Sequence, residues 1–286
     1  MNAGQLNCLF MMLVIETLAS CAAVNRYVYR ANPINLPGLT QKGESRLSAG
    51  GGENVELNRG SGLRGVDFQG AYAISNRVTV LGGYSYRTGS DQGSNINEPY
   101  LSFSPIYEHD SARLQYRNST WELGAAYTIP LARRTFLSIG AGGGGGNFHI
   151  GDQGALYDTA YNCYQDSRVT QWFLQPAMYW KLKMVEIGVG FRLSGTHYGQ
   201  VNTNYTEDQA VKFDVNGLQG KTMIMGQPFW IVRIYPSLSW LQIELQESVN
   251  AGGASSGTSY HYFGINTGIS VAVYPSRLLT KRTKRD

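Results

Sequence analysis

The sequence predicts an all-β fold, an up-and-down transmembrane β-barrel of about ten antiparallel strands. Apolar and polar residues alternate with a period of two through ten segments, which indicates strands. The connections between these segments alternate between tight turns and longer polar loops, as they do in membrane-spanning barrels. Charged residues make up only 15% of the chain, against about 25% in soluble domains.

The composition excludes several other classes of protein. Beyond the N-terminal stretch, no run approaches the roughly 20 apolar residues of a membrane helix, so a helical membrane protein is excluded. Three cysteines without a CxxC pair predict neither a disulfide scaffold nor a zinc site. The net charge of +4 is matched by four basic residues within 281–285. The body of the chain therefore shows no basic face for nucleic acid.

The N-terminus is predicted to be a secretory signal, because an apolar core over 8–15 is followed by small residues. Leu18-Ala19-Ser20-Cys21 resembles the bacterial lipobox, in which the cysteine is acylated, for example with palmitate, and becomes the mature N-terminus. This predicts a signal peptide over 1–20 and a lipidated periplasmic linker over 21–43. The alternative is ordinary signal cleavage with Cys21 as a bystander. With Cys21 lipidated, Cys163 remains as a thiol without a disulfide partner.

Each strand segment shows its alternation directly. In the seventh, Val185, Ile187 and Val189 alternate with Glu186 and Gly188. Several segments exceed the usual soluble strand of about five to six residues and suit a tilted bilayer crossing. The ten predicted strands are 44–52, 62–74, 77–88, 112–129, 134–149, 167–181, 183–199, 225–235, 238–249 and 258–274.

The connections predict how the barrel is oriented. Those after even-numbered strands are short, whereas those after odd-numbered strands are longer and include 89–111, 150–166 and 200–224. Tight turns in the periplasm and long loops outside are the rule for such barrels, and an even strand number places both termini in the periplasm. The barrel is thus predicted over 44–274, followed by a basic periplasmic tail over 275–286.

The competing fold is a soluble sandwich or a lipocalin-like barrel, whose apolar side faces inward. The polar face of these strands mixes glycine, alanine and serine with a few charges and amides. A solvent-facing surface would carry more lysine, glutamate and threonine. Small residues instead fit a crowded lumen, and tyrosine and tryptophan near strand ends fit the aromatic girdles of a lipid-facing wall.

Further motifs resemble lipobox-bearing outer-membrane β-barrel proteins of the Bacteroidetes type. They are a Tyr-rich linker at 27–29, a Pro-rich stretch at 32–37, a Lys-Gly-Glu turn at 42–44 and an Asp/Gln-bearing strand at 65–72. The resemblance is clearest over 18–88. It implies the outer membrane and a barrel fold but no activity. Exported lipoproteins of this group carry acidic residues after the cysteine; 22–26 has none, which favours an anchor on the periplasmic side.

The alternation also predicts what fills the lumen. Because a ten-stranded barrel is narrow and a lone buried charge is costly, five carboxylates and three guanidiniums are expected to form a buried ion-pair network. The alternative is a proton or small-ion path along the carboxylates. The residues predicted to face inward are Glu44, Arg46, Asp67, Gln69, Glu122, Gln171, Gln175, Glu186, Arg192, Arg233, Gln242 and Glu244.

Four histidines are weak candidates for chemistry at the outer rim. His109, His149, His197 and His261 all fall in an outer loop or near the outer end of a predicted strand. A histidine fixed by a carboxylate could act as a general base, and three in suitable geometry could bind zinc. No spacing motif supports either role, and neighbouring aromatic residues favour interfacial packing.

Two further motifs receive structural interpretations. Gly142 to Gly146 lacks the Gly-Lys-Ser/Thr of a phosphate loop, so it predicts a kink in the wall, with Arg192 or Phe136 pressing against it. The last strand, with Asn266, Gly268 and Val271, resembles the insertion signal of outer-membrane barrels.

These observations predict a non-enzymatic outer-membrane lipoprotein that serves as a structural or accessory subunit of an envelope assembly. Its partners would be outer-membrane lipids and other envelope proteins, with no cofactor and no nucleic acid. The alternatives are a narrow channel or small-ligand-binding barrel, and a hydrolase with its site at the rim.

Overall fold

The computed structural model describes residues 32–56, 62–93, 111–156, 159–213, 215, 217–236, 238, 240–254 and 261–277. The signal peptide, Cys21, His109 and the tail beyond 277 lie outside the described residues, as does the side chain of His261. The described residues include ten strands and a short helix, α1 (Glu207–Lys212), which lies between the seventh and eighth strands. The strands are β1 (Ser45–Glu56), β2 (Gly62–Ala73), β3 (Val78–Gly93), β4 (Ser111–Ala132), β5 (Thr135–Leu156), β6 (Thr159–Lys181), β7 (Val185–Thr203), β8 (Thr222–Ile234), β9 (Leu241–Ala254) and β10 (His261–Val273).

The strands form a closed barrel in which every strand pairs antiparallel with its neighbours in sequence. The barrel closes between β1 and β10, where Leu47 is opposite Val273 and Glu56 is opposite Gly264. Closure removes both free sheet edges, so that each strand has a hydrogen-bonded partner on either side. The predicted ten-stranded up-and-down barrel is confirmed.

The two ends of the barrel differ in their connections. At one end, called here the short-turn end, strands are joined by 74–77, 133–134, 182–184 and 235–240. The opposite end, called the long-loop end, carries longer connections such as 94–110 and 204–221. Helix α1 lies in the latter and begins with a capping box, in which Thr206 and Gln209 bond each other's backbone. Within the described ranges, no helix has the length and apolar character that crossing a membrane requires.

The predicted loop over 150–166 differs from the structure. Strand β5 continues to Leu156 and β6 begins at Thr159, so only two residues separate the ends of this hairpin. The two strands have 22 and 23 residues, about twice the 9–11 that cross a bilayer. About half of each strand therefore exceeds the length that a bilayer crossing requires.

The alternation reverses its phase along the long strands. On the lower half of β4, Trp121, Leu123 and Tyr127 point outward and are 43–62% exposed. Beyond Asn118, toward the long-loop end, the outward positions are polar and the inward ones apolar. A wall with this pattern suits contact with lipid toward the short-turn end and with water toward the long-loop end. Buried Ala112, Leu114 and Tyr116 thus alternate with exposed Arg113, Gln115 and Arg117.

Apolar clusters fill the upper lumen enclosed by this extension, where side chains from several strands and from the β7–β8 connection pack together. One contains Phe148, Val169, Tyr198, Leu218, Met223 and Met225. A second contains Leu63, Ala112, Leu114, Tyr116 and Ile150, and a third Cys163, Tyr205, Phe213 and Val215.

The segment that precedes the first strand lies inside the barrel. Residues 21–43 were predicted as a periplasmic linker, whereas Asn32–Thr40, the described extended part, is buried in the lower lumen. Its prolines remove backbone N–H groups that would need partners and keep the preceding residues extended. Its apolar side chains, Ile34, Leu36 and Leu39, are each at most 2% exposed. Burial of these side chains explains why the segment enters the lumen.

The five-glycine run lies in the middle of β5, where β4 and β5 approach closely. A Cβ on inward-facing Gly144 would lie 1.9 Å from the carbonyl oxygen of Trp121, and one on Gly146 would lie 2.2 Å from that of Ser119. Only glycine permits this approach. Phe173, not the predicted Arg192 or Phe136, presses against Gly142.

Candidate functional site

A continuous ion-pair chain crosses the lower lumen on β1, β7, β8 and β9. Arg233 donates through Nε to Glu244 at 2.5 Å and through Nη1 to Glu186. Glu244 also accepts from Arg46 at 2.8 Å. All four side chains are at most 3% exposed. Strand alternation brings them together, because each occupies an inward position: β7, β8 and β9 are adjacent, and β1 is separated from β9 by β10 alone.

Three more pairs complete the charges predicted to face inward. Arg192 donates to Glu122 and stacks over the Phe173 ring at 4.3 Å. The other two pairs are Arg87 with Asp67 at 2.5 Å and Arg277 with Glu44 at 3.2 Å. Each of the five predicted carboxylates therefore has an arginine partner. Sequence reasoning did not identify Arg87 or Arg277 as partners. The odd-numbered inward positions of β3 could have identified Arg87, whereas the position of Arg277 depends on the chain path after β10.

Asn32–Thr40, called here the lumen segment, is held by side chains of the wall. Gln69 donates to the carbonyl of Ile34 at 3.3 Å, and Gln175 donates to that of Asn35 at 3.3 Å. Arg233, already paired with two carboxylates, also donates to the carbonyl of Leu36. These predicted inward residues thus bind the segment as well as one another.

Both ends of the lumen segment are fixed. At the upper end, Asn32 accepts from Thr120 at 2.6 Å and donates to Gln171 at 3.2 Å. At the lower end, the backbone N–H of Thr40 donates to Glu44 at 2.9 Å. Between them, Gly38 has a φ of +62°, and a Cβ there would lie 2.6 Å from a carboxylate oxygen of Glu186. Glycine at 38 therefore permits both the turn and the contact.

The lower lumen is closed by this arrangement. The cavity beside Asn32, Glu122 and Arg192 has a volume of about 20 Å³, which is room for about one water. Ion pairs and the lumen segment occupy the space beneath it. The five carboxylates that were predicted to face inward are each paired with an arginine.

The described histidines lie on the outer surface of the wall, away from the lumen. His149 on β5 bonds Asp166 on β6 at 2.7 Å, and His197 on β7 bonds Thr222 on β8 at 3.1 Å. Inside the upper lumen, Asp152 accepts from the hydroxyl of Tyr205 at 2.7 Å. The structure therefore does not bring His149 and His197 to one site. Within the ranges that it describes, no three His, Cys, Asp or Glu side chains could hold a metal ion.

Aromatic side chains mark two levels on the outer wall. Tyr84, Trp121 and Trp172 form the upper level, at the point where the alternation reverses, and Tyr72 and Trp180 belong to the lower one. The two tryptophans of β6, Trp172 and Trp180, are eight positions apart. At about 3.3 Å per residue and a tilt near 40°, the two aromatic levels are about 20 Å apart along the barrel axis. Such a band approaches the roughly 25 Å of outer-membrane barrels.

A polar groove lies on the outer wall just above the upper aromatic level. It crosses β4, β5, β6 and β7 and has a volume of about 320 Å³. We call it the outer-wall groove. The strand register places Arg117, His149 and Asp166 side by side in its upper row and Ser119, Asn147 and Arg168 in its lower row.

Neither a protein-family model nor a curated protein matches the sequence. Solved outer-membrane barrels are similar in fold. The outer membrane protease OmpT of Escherichia coli is 12% identical, with 82% of this chain and 97% of that chain covered and a TM-score of 0.42. Ail, the attachment invasion locus protein of Yersinia pestis, is 10% identical, with 82% and 99% covered and a TM-score of 0.32.

The translocator domain of the autotransporter NalP of Neisseria meningitidis is 10% identical, with 82% of this chain and 90% of that chain covered and a TM-score of 0.42. The likeness to these three proteins concerns the barrel architecture. The closed antiparallel order itself is given by the strand pairing of this chain.

Proposed function

We propose that the protein is a non-enzymatic outer-membrane lipoprotein that serves as a structural or accessory subunit of an envelope assembly. The observation that carries this proposal is the closed lumen. The lumen segment is bonded to the wall along its length, and Arg233 joins it to the buried ion pairs. A barrel filled in this way gives rigidity to the strands and offers its outer wall and long loops for interaction.

The orientation follows from the two ends of the barrel. The short turns would face the periplasm and the long loops the exterior, as is usual for outer-membrane barrels. Tyr274 and Arg277, at the C-terminal end of the described chain, pack at the short-turn end, where Arg277 pairs with Glu44. A C-terminus in the periplasm agrees with this contact.

The lipid anchor would be at Cys21, on the periplasmic side. The absence of acidic residues over 22–26 supports that side. Mass spectrometry of the mature N-terminus tests the acylation. Protease treatment of intact cells carrying an epitope after residue 22 tests the side, because cleavage of the epitope would place the anchor on the exterior.

Conductance in planar bilayers tests the closed lumen. The complete protein is expected to show no channels, whereas replacing the apolar residues of the lumen segment with aspartate should release it and permit ion flow. Sustained conductance of the unmodified protein would contradict the proposal and favour a channel. Glu122→Gln is the matched control, because it retains the segment and should remain silent.

The accessory role is tested by isolating the protein from its native envelope in mild detergent. Stoichiometric envelope subunits are expected to remain bound and to dissociate when the long loop 94–110 is shortened. Recovery of a monomer alone would count against the role. Peptide and lipid hydrolysis should stay at background in the same preparation, and activity that His149→Ala abolishes would support the rim hydrolase instead.

A further inference from the structure

The outer-wall groove carries a net positive charge, because two arginines and one carboxylate, that of Asp166, line it. Arg117 and Arg168 both line it, and neither forms an ion pair with any described residue. Arg117 and Arg168 are two strands apart and displaced by two residues along the strand direction. Their Cα atoms are therefore about 12 Å apart. Because an arginine side chain reaches roughly half of that distance, both guanidiniums can contact a single group between them. Two planar donors of this kind suit a phosphate.

His149 lies on β5, between Arg117 on β4 and Arg168 on β6. Its Nδ1 lies 2.7 Å from a carboxylate oxygen of Asp166, which fixes the ring and directs Nε2 away from that bond. When the ring is protonated, Nε2–H is a third donor to an anion. The carboxylate of Asp166 repels an anion and limits the charge of the groove.

The wall directly below the groove is apolar. The next two outward positions on β5 are Gly145 and Gly143, which lie opposite Trp121 and Leu123 of β4. Gly145 is buried against the Trp121 ring, whose Nε1 would lie 3.7 Å from a Cβ there, whereas a Cβ on Gly143 would meet the carbonyl oxygen of Gln171 at 3.1 Å. On the other side, Trp172 on β6 shares the row of Gly143, and its ring lies over Gly195 of β7. Gly143 therefore leaves a shallow trough in the lipid-facing band below the groove, bordered by the two tryptophans. A trough of this kind fits an acyl chain.

We propose that the outer-wall groove is a binding site for a phosphate-bearing lipid of the leaflet nearest the long loops. Arg117 and Arg168 bind the phosphate, His149 supports it, and an acyl chain lies over Gly143 between the tryptophans. The inference rests on the proposed placement of the barrel in the membrane. It adds a specific lipid partner to that placement.

The test uses the purified complete protein in neutral detergent and three probes. These are dioleoyl phosphatidic acid, which has a phosphate monoester, dioleoylglycerol, which has the same chains without phosphate, and inorganic phosphate. Binding of each probe is measured by native mass spectrometry and by competition against a fluorescent phosphatidic acid. Phosphatidic acid is expected to bind at least about tenfold more tightly than either control, since charge-assisted hydrogen bonds and chain burial act together.

The variants are Arg117→Gln with Arg168→Gln, and Arg113→Gln as the matched control. Arg113 is an exposed outward arginine on β4 two rows above the groove and does not line it. The double variant should weaken phosphatidic acid binding about tenfold or more per guanidinium, and the control less than twofold. Circular dichroism verifies that each variant keeps its barrel, so that loss of binding is not loss of fold.

Three outcomes would overturn the proposal. Equal binding of phosphatidic acid and dioleoylglycerol would show that the phosphate is not recognised. Inorganic phosphate that binds as tightly as the lipid would identify an anion site without a lipid partner. Equal weakening by Arg113→Gln would show a diffuse charge effect. None of these outcomes changes the membrane placement, which fails separately if the protein does not insert into vesicles.

Discussion

The buried arginine on β8 offers the sharpest test of the lumen, and the change is Arg233→Met. Methionine keeps much of the side-chain volume but removes the donors to Glu186, Glu244 and the carbonyl of Leu36. Breaking a buried pair by removing one partner costs about 3–5 kcal/mol, because the remaining charge stays buried. Glu244 retains Arg46 at 2.8 Å, whereas Glu186 retains the hydroxyl of Tyr235 at 3.4 Å. Most of the loss is therefore expected to arise at Glu186.

The measurement is the free energy of unfolding of the protein in lipid vesicles, from a urea titration followed by tryptophan fluorescence. Adding Glu186→Gln to Arg233→Met should recover about 1–2 kcal/mol, because a neutral amide is easier to bury than an unpaired carboxylate. Arg64→Met is the matched control. Its partner Glu53 is 2.9 Å away, but the Arg64 side chain is 80% exposed, so the loss should stay below about 1 kcal/mol.

Two results would refute this reasoning. A loss below about 1 kcal/mol for Arg233→Met would mean that water reaches the lower lumen and solvates the carboxylates. A double variant less stable than the single one would mean that Lys181, which lies opposite Glu186 in the register of β6 and β7, becomes its cationic partner. Either result would also weaken the proposal that the lumen is closed.

The remaining predictions concern the wall, the lipid anchor and the membrane level. Gly144→Ala should lower the free energy of unfolding by about 1–3 kcal/mol, as overpacking does. Gly140→Ala on the same strand should be nearly neutral, because a Cβ at position 140 meets its nearest atoms at 3.7 Å or beyond. Urea titration compares the two variants. Cys21→Ala should abolish the acyl mass increment yet leave barrel assembly intact, as seen by circular dichroism. Lipids brominated near the headgroup should quench Trp121 and Trp172 in single-tryptophan variants more strongly than lipids brominated at the chain ends.

Local alternation accounts for most of what could be predicted about the fold. The side-chain period of a strand is two, so inward and outward faces can be assigned before the strand's neighbours are known. All twelve residues predicted to face inward do so, from Glu44 at the mouth to Glu244 in the buried network. The even count of strands and the two kinds of connection predicted the closed antiparallel order.

The phase reversal near Asn118 is also present in the sequence but was not recognised. Over 112–117, apolar residues occupy even positions and polar residues odd ones, and from Trp121 onward the pattern is opposite. Apolar and polar residues that alternate form a strand whether the apolar ones face outward or inward. Most of the predicted loop over 150–166 is therefore strand in the structure. The reversal lies at the level of the outer-wall groove, and the proposed membrane placement puts the boundary between lipid and water there.

By itself, the sequence determined the fold class, the strand order and the composition of each face, because these follow from local periodicity and from connection lengths. Only the tertiary structure decided that Asn32–Thr40 enters the lumen and that Arg233 joins it to Glu186 and Glu244. It also decided that Arg117 and Arg168 share one groove. These contacts join residues as far as 197 positions apart. They depend on complementary shape and charge across a closed barrel, for which no local pattern in the chain is a sufficient signal.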